Sequence, residues 1–186
     1  EAVKDGVFDK IDSSLFRFKY SEVKDVGLRG AEILNQIPDI RMIEIETGRG
    51  CDIGKCSFCT EPLKNRVEFR EKNDVIKEIG KFYELGARYF RLGKQACFYT
   101  YPDAVELLKD INKKFPEIKV LHIDNVNPVK VMVDKRNNFE ITKAVVKYCT
   151  SGNVAAFGVE SFDPVVVKEN TLNTSPKIGY EAIKII

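Results

Sequence analysis

The feature that most limits the fold of this chain of 186 residues is a repeated switch of hydrophobic period. Short segments whose apolar residues alternate or run together give way to longer segments with apolar residues every three or four positions. The first kind reads as strand and the second as helix. Side chains alternate faces along a strand and return to one face about every 3.6 residues along a helix. Strand patterns fall at residues 41–46, 88–92, 118–123 and 154–159. The last is apolar throughout, which predicts burial on both faces.

Helical patterns lie between them. Ser21 stands at the N-cap position of the first, where Val23, Val26, Ala31, Leu34 and Ile37 recur and Pro38 closes the run. A second starts near Asn73, with Val75, Ile76, Ile79, Phe82 and Tyr83 on one face and Gly86 at its C-terminal end. Pro102 opens a third, with Val105, Leu107, Leu108 and Ile111 inward, and residues 142–148 form a fourth. Ser175-Pro176 opens the last as an N-cap followed by proline in the first turn. Strand and helix alternating in this way predict βαβ units, a parallel sheet and right-handed crossovers. In such sheets ligands bind beyond the carboxyl ends of the strands. Four segments follow strand ends: residues 49–59, Gly93-Lys94-Gln95, Asp124-Asn125 with Asn127, and Glu160-Ser161. They are expected to gather on one rim.

Residues 49–59 carry three of the five cysteines, Cys51, Cys56 and Cys59, spaced C-x4-C-x2-C and interleaved with Gly50 and Gly54. Thiolates this close on a glycine-bearing loop suit one metal centre, zinc or an iron–sulfur cluster. A zinc ribbon needs a second cysteine pair, and Cys97 and Cys149 stand apart. Plant-type ferredoxins share the spacing and add a fourth cysteine downstream. Cys97 is the one candidate for it, although a buried apolar role explains a cysteine after a strand equally well.

The stretch resembles the cluster loop of the radical S-adenosylmethionine superfamily. There three cysteines hold a four-iron four-sulfur (4Fe-4S) cluster and an aromatic residue precedes the last of them, as Phe58 does here. The usual spacing is C-x3-C-x2-C, so this loop carries one extra residue between Cys51 and Cys56. The flanks, Glu44-Ile-Glu-Thr-Gly-Arg-Gly-Cys51 and Cys59-Thr-Glu-Pro62, are similar to the subset related to methylthiotransferases and cobalamin-dependent members. The resemblance implies a partial parallel (β/α) barrel, of which about four βα units are present, and makes Cys51, Cys56 and Cys59 the cluster ligands. The fourth iron is left to the amino and carboxylate groups of S-adenosylmethionine. One electron from the reduced cluster then breaks a sulfonium carbon–sulfur bond to give a 5′-deoxyadenosyl radical.

By the same resemblance Phe58 packs on the adenine, Gly93 and Gln95 meet the amino group, and Glu160 and Ser161 contact ribose or methionine. Asn125 touches the cofactor from its strand end, and residues 170–173 form a turn. Arg49 faces a carboxylate or lies on the surface, and no catalytic side chain is assigned. His122, the single histidine, sits inside a strand pattern and reads as a core residue. Lys64, Arg66, Arg70 and Lys72 read as a solvated basic face.

Composition narrows the setting. Apolar residues reach 44% and charged residues 31%, with a net charge of +2, so the chain as a whole makes no electrostatic case for nucleic acid. No apolar run approaches the roughly 20 residues of a membrane span. The first residues hold no signal-peptide core, and a clustered, odd set of cysteines suits a reducing cytoplasm. The absent initiator methionine and the helical pattern running to Ile186 suggest a piece of a longer protein. Residues 1–40 are expected to be a tether and helix, and 41–186 the truncated core. The resemblance further implies a reductant such as a ferredoxin or flavodoxin, and an RNA or protein substrate, since archaeal relatives with this style of loop carry nucleic-acid-binding modules. An electron-transfer module, or an inactive cluster-binding or structural piece, is the alternative.

Overall fold

The computed structural model describes residues 18–64, 66–152 and 156–186. Its strands in chain order are β1 (Ile43–Glu46), β2 (Gly48–Arg49), β3 (Glu68–Phe69), β4 (Tyr89–Gly93) and β5 (Val120–Ile123). β1, β4 and β5 form a parallel sheet in that order, and β2 pairs antiparallel with β3. The helices are α1 (Tyr20–Val23), α2 (Val26–Gly30), α3 (Glu61–Lys64), α4 (Lys72–Glu84), α5 (Ala104–Lys114), α6 (Pro128–Arg136), α7 (Glu140–Tyr148), α8 (Pro164–Glu169) and α9 (Pro176–Ile183). Among the described residues no helix is long and apolar enough to cross a membrane.

Register explains the core. Ile45 lies opposite Leu92, and Leu92 opposite Ile123; one step away Ile43 faces Phe90 and Phe90 faces Leu121. Period-2 alternation puts all six on one side of the sheet. Helices cover that side. Val75, Ile76 and Ile79 of α4, Leu107, Leu108 and Ile111 of α5, Val131 of α6 and Ala144 of α7 are buried there in one cluster. Each side chain of this size is worth about 1.5–3 kcal/mol when fully buried. The opposite side presents Glu44 beside Arg91 and Arg91 beside His122.

Several expectations need correction at their edges. The single helix expected from Ser21 to Pro38 is broken into α1, α2 and a 3-10 turn at Ala31–Gln36. Gly27 and Gly30 each cost a helix about 1 kcal/mol relative to alanine, and the periodic apolar residues secure only the end of the segment, at Ala31 and Leu34. The first cap is Lys19, whose N–H donates to Glu22 Oε2 at 2.7 Å, and not Ser21. α5 starts at Ala104, two residues after Pro102, because Phe98–Thr100 first makes a buried 3-10 turn. α6 was not foreseen: Val129, Val131 and Val133 alternate as in a strand, but Asn127 Oδ1 accepts from Val129 N–H and Pro128 starts the helix. Of the fourth strand, residues 153–155 lie outside the described residues. Phe157 makes one parallel bridge to Val126, yet Ala156 is exposed and Phe157 to Val159 are half-buried, so double-sided burial fails. Among the described residues no strand pairs with its outer edge. Asp163 and Ser175 cap α8 and α9 as expected.

Candidate functional site

The cysteine loop is an excursion from the carboxyl end of β1, closed at its base by the short β2–β3 ladder. Arg49 strengthens that base. Its guanidinium pairs with Glu68 at 2.5 Å, bonds to the Phe18 carbonyl and lies over the Tyr20 ring at 4.6 Å. Arg49 is thus committed to holding the loop. At Gly50 the backbone takes φ 78°, and a Cβ would sit 2.5 Å from the Arg66 carbonyl oxygen, so only glycine fits. The Gly50 N–H donates to Glu61 Oε1 at 2.8 Å. Further along, Asp52 forms an ion pair with Lys130 of α6, and Cys59 N–H donates to the Cys56 carbonyl at 3.1 Å.

All five cysteines are free, and the three loop thiols are half-buried. Burial raises the Cys56 thiol above its ordinary range. The neighbouring Cys51, Cys59 and Glu160 raise it further, against a lowering hydrogen bond from the Asn173 backbone. Cys56 thus feels both other loop thiols and the Glu160 carboxylate. Among the described residues no three His, Cys, Asp or Glu side chains converge on a point as a metal ligand set. The donor chemistry nevertheless fits a thiolate-held centre, and the Nδ2 of Asn173, next to Cys56, is buried without a hydrogen-bond partner among the described residues. Cys97 is a core residue: it is buried, and its sulfur accepts from Asn127 N–H at 3.2 Å.

The other rim positions divide. Gln95 is 2% exposed. Its Oε1 accepts from the buried Thr47 hydroxyl, its Nε2 donates to the Leu92 carbonyl at 3.4 Å, and its own carbonyl accepts from Asn125 Nδ2 at 2.9 Å. Gln95 and Asn125 thus lock the ends of β1, β4 and β5 together under the loop. Between them Lys94 takes a left-handed φ of 61°. The Glu44 side chain lies across Gly93 and would have to swing away to admit a Cβ there. Phe58 is 61% exposed and shares a cleft of roughly 290 Å³ with Glu160, Val166, Asn170 and Leu172. The Ser161 hydroxyl accepts from Asp163 N–H at 3.0 Å and so joins the start of α8.

A larger cleft of roughly 660 Å³ lies between Asp52, Ile53 and Lys55 of the loop and the α8–α9 region. His122 is half-buried on the polar side of the sheet. In the basic run, Arg70 pairs with Glu78 and Lys72 with Asp110, the latter at 2.9 Å.

Sequence reasoning missed Thr47, Glu61 and Lys130, and also the contact made by residues 170–173. The Asn127-Pro128 capping signature marked α6 and with it Lys130; nothing local marked the others, because their partners are distant in sequence.

No known family profile matches the chain. It is 40% identical over 206 aligned positions to an uncharacterized protein of Methanocaldococcus jannaschii, covering all of this chain and 38% of that protein. It is 44% identical over 172 positions to an uncharacterized protein of Archaeoglobus fulgidus, covering 85% of this chain and 32% of that one. The chain thus spans about a third of the length of the curated relatives it matches. Among solved structures it is similar to the cobalamin-dependent S-adenosylmethionine radical enzyme OxsB with aqua-cobalamin bound. That match has a TM-score of 0.58 at 17% identity, over 76% of this chain and 22% of that one. It is also similar to the radical S-adenosylmethionine methyltransferase TsrM of Kitasatospora setae, solved with tryptophan and a cofactor analogue. Here the TM-score is 0.57 at 18% identity, over 77% and 28% of the two chains. At these identities the likeness establishes the fold alone: a mixed α/β fold with a parallel three-stranded sheet, similar to part of these two enzymes.

Proposed function

We propose that this chain is the catalytic core of a radical S-adenosylmethionine enzyme, with Cys51, Cys56 and Cys59 as ligands of a 4Fe-4S cluster. The observation that carries this is the placement of three cysteines within nine residues on a loop that leaves the carboxyl end of a parallel strand. That is the ligand-binding end of such sheets. Three cysteines suit a cluster with one open iron better than a closed zinc site, which takes four protein ligands. The β2–β3 ladder and the Glu61, Lys130 and residue 170–173 contacts anchor the loop that carries them.

In this reading the sheet closes toward a partial (β/α) barrel, with residues 41–186 as the core and 1–40 as an added segment. Phe58, Gly93, Glu160 and Ser161 face the cofactor directly. Gln95 and Asn125 act from below, by fixing the strand ends. When bound, the reduced cluster supplies one electron for cleavage of the sulfonium of S-adenosylmethionine. The chain's own residues orient the two cofactors and exclude water from them. Five free cysteines suit a reducing cytoplasm, where a ferredoxin or flavodoxin supplies electrons. An RNA or protein substrate, modified by the longer protein, completes the proposal.

The test is anaerobic reconstitution followed by iron and sulfide analysis and assay for 5′-deoxyadenosine after chemical reduction. Four irons with release of 5′-deoxyadenosine support the proposal. Zinc in place of iron, or an intact cofactor beside a reducible cluster, removes it; the second outcome favours an electron-transfer module.

A further inference from the structure

Three hydrogen bonds tie the cysteine loop to the turn between α8 and α9. Ser57 N–H donates to the Asn170 carbonyl at 3.1 Å. The Ser57 hydroxyl donates to Asn170 Oδ1 at 2.8 Å, and the Thr171 hydroxyl to the Lys55 carbonyl at 2.6 Å. The side-chain bonds join residues 113 and 116 positions apart. They hold both neighbours of Cys56 and neither neighbour of Cys51. We propose that residues 170–173 are a positioning device for the Cys56 sulfur, fixing one corner of the thiolate set through Ser57 and Lys55. This rests on the cluster assignment above and adds to it: the 170–173 turn holds Cys56 through both of its neighbours, whereas α6 reaches Cys51 through Asp52 alone.

Two observations argue against an incidental contact. Thr171 takes φ 49°, a left-handed conformation that is an outlier for a β-branched residue and is held only when its surroundings impose it. Its hydroxyl bond to Lys55 and the bond from its N–H to the Lys168 carbonyl, at 3.2 Å, impose it here. Asn173 of the same turn also lies beside Cys56, where its backbone lowers the thiol against the rise from burial. The turn therefore sets where Cys56 sits.

Thr171→Gly separates this role from a purely structural one, because it deletes the hydroxyl and relieves the backbone strain together. Thr171→Val and Asn170→Ala each delete one bond to the loop, Asn170→Ala also losing the Nδ2 bond to the Val166 carbonyl within α8, and Thr150→Val, remote from the loop, is the control. In the unloaded chain we expect Cys56 to be alkylated faster, relative to Cys51 and Cys59, in all three turn variants. After anaerobic loading, iron should pass to a chelator roughly 10-fold faster than from the wild type, in the range usual for loss of a group that orients a metal ligand. Thr171→Gly should melt no lower than Thr171→Val, so that loosening of the loop is not a symptom of unfolding.

If the wild type loads iron and the turn variants match it in iron release and alkylation pattern, the positioning role is wrong and the cluster assignment stands. If the wild type loads no iron, both are wrong.

Discussion

The two sides of the sheet use the same three strands for opposite purposes. On one side Ile45, Phe90, Leu92, Leu121 and Ile123 are buried under helices. On the other, in register between them, Glu44, Arg91 and His122 form a polar row. Polar groups differ in the same way. Asp134, buried on the helical side, accepts from Ile141 N–H, Thr142 N–H and the Thr142 hydroxyl at 2.7–3.0 Å. Arg91, half-buried on the other side, has no hydrogen-bond or ion-pair partner for its guanidinium among the described residues. Parallel sheets are normally covered on both faces. One face here specifies the fold; the other keeps its chemistry unspent beside the cysteine loop.

The contrast breaks most visibly under truncation. Leu92→Ala should cost about 2–5 kcal/mol, a large share of a typical domain's stability. Its neighbour Arg91→Met should cost no more than about 0.5 kcal/mol. Urea denaturation of the two variants compares them directly, and equal losses would erase the distinction between the faces. Next in size, Asp134→Ala strips the first turn of α7 of its acceptor and leaves buried donors unpaired, for about 1–3 kcal/mol by the same measurement. Gly50→Ala comes third. Its left-handed backbone alone costs about 1–2 kcal/mol, and the collision with Arg66 opens the β2–β3 base. Iron retention should therefore suffer more than thermal stability.

The last contrast is a pH dependence, confined to strongly alkaline solution. Burial pushes the Cys149 thiol up to about 12 from about 9. The folded chain thus keeps its proton where the unfolded chain loses it, and stability falls as pH rises from about 9 toward 12. Cys149→Ala should flatten that fall in melting temperature.

These contrasts also mark what the sequence could reveal. The apolar face was legible because each strand alternates and α4 and α5 repeat at helical spacing; Leu107, Leu108 and Ile111 point inward as their spacing requires. Boundaries shifted where local chemistry competes. Two glycines interrupt the first helix, and three alternating valines disguise α6. At the rim the cysteine spacing was visible, but its supports were not. Gln95 looks like a ligand-facing amide in sequence, and its bond to the buried Thr47 hydroxyl was not visible there. Asn170 and Thr171 read as an ordinary turn, because only the folded chain brings them to Ser57 and Lys55.

The central claim is that sulfur at positions 51, 56 and 59 holds a cluster with one iron open to S-adenosylmethionine. Electron paramagnetic resonance of the reduced, anaerobically loaded chain tests it most directly, recorded before and after adding S-adenosylmethionine labelled with nitrogen-15 at its amino group. A shifted spectrum with coupling to the label, lost in Cys56→Ser, is the predicted result. A spectrum unchanged by the cofactor, or a loaded chain containing only zinc, would contradict the account.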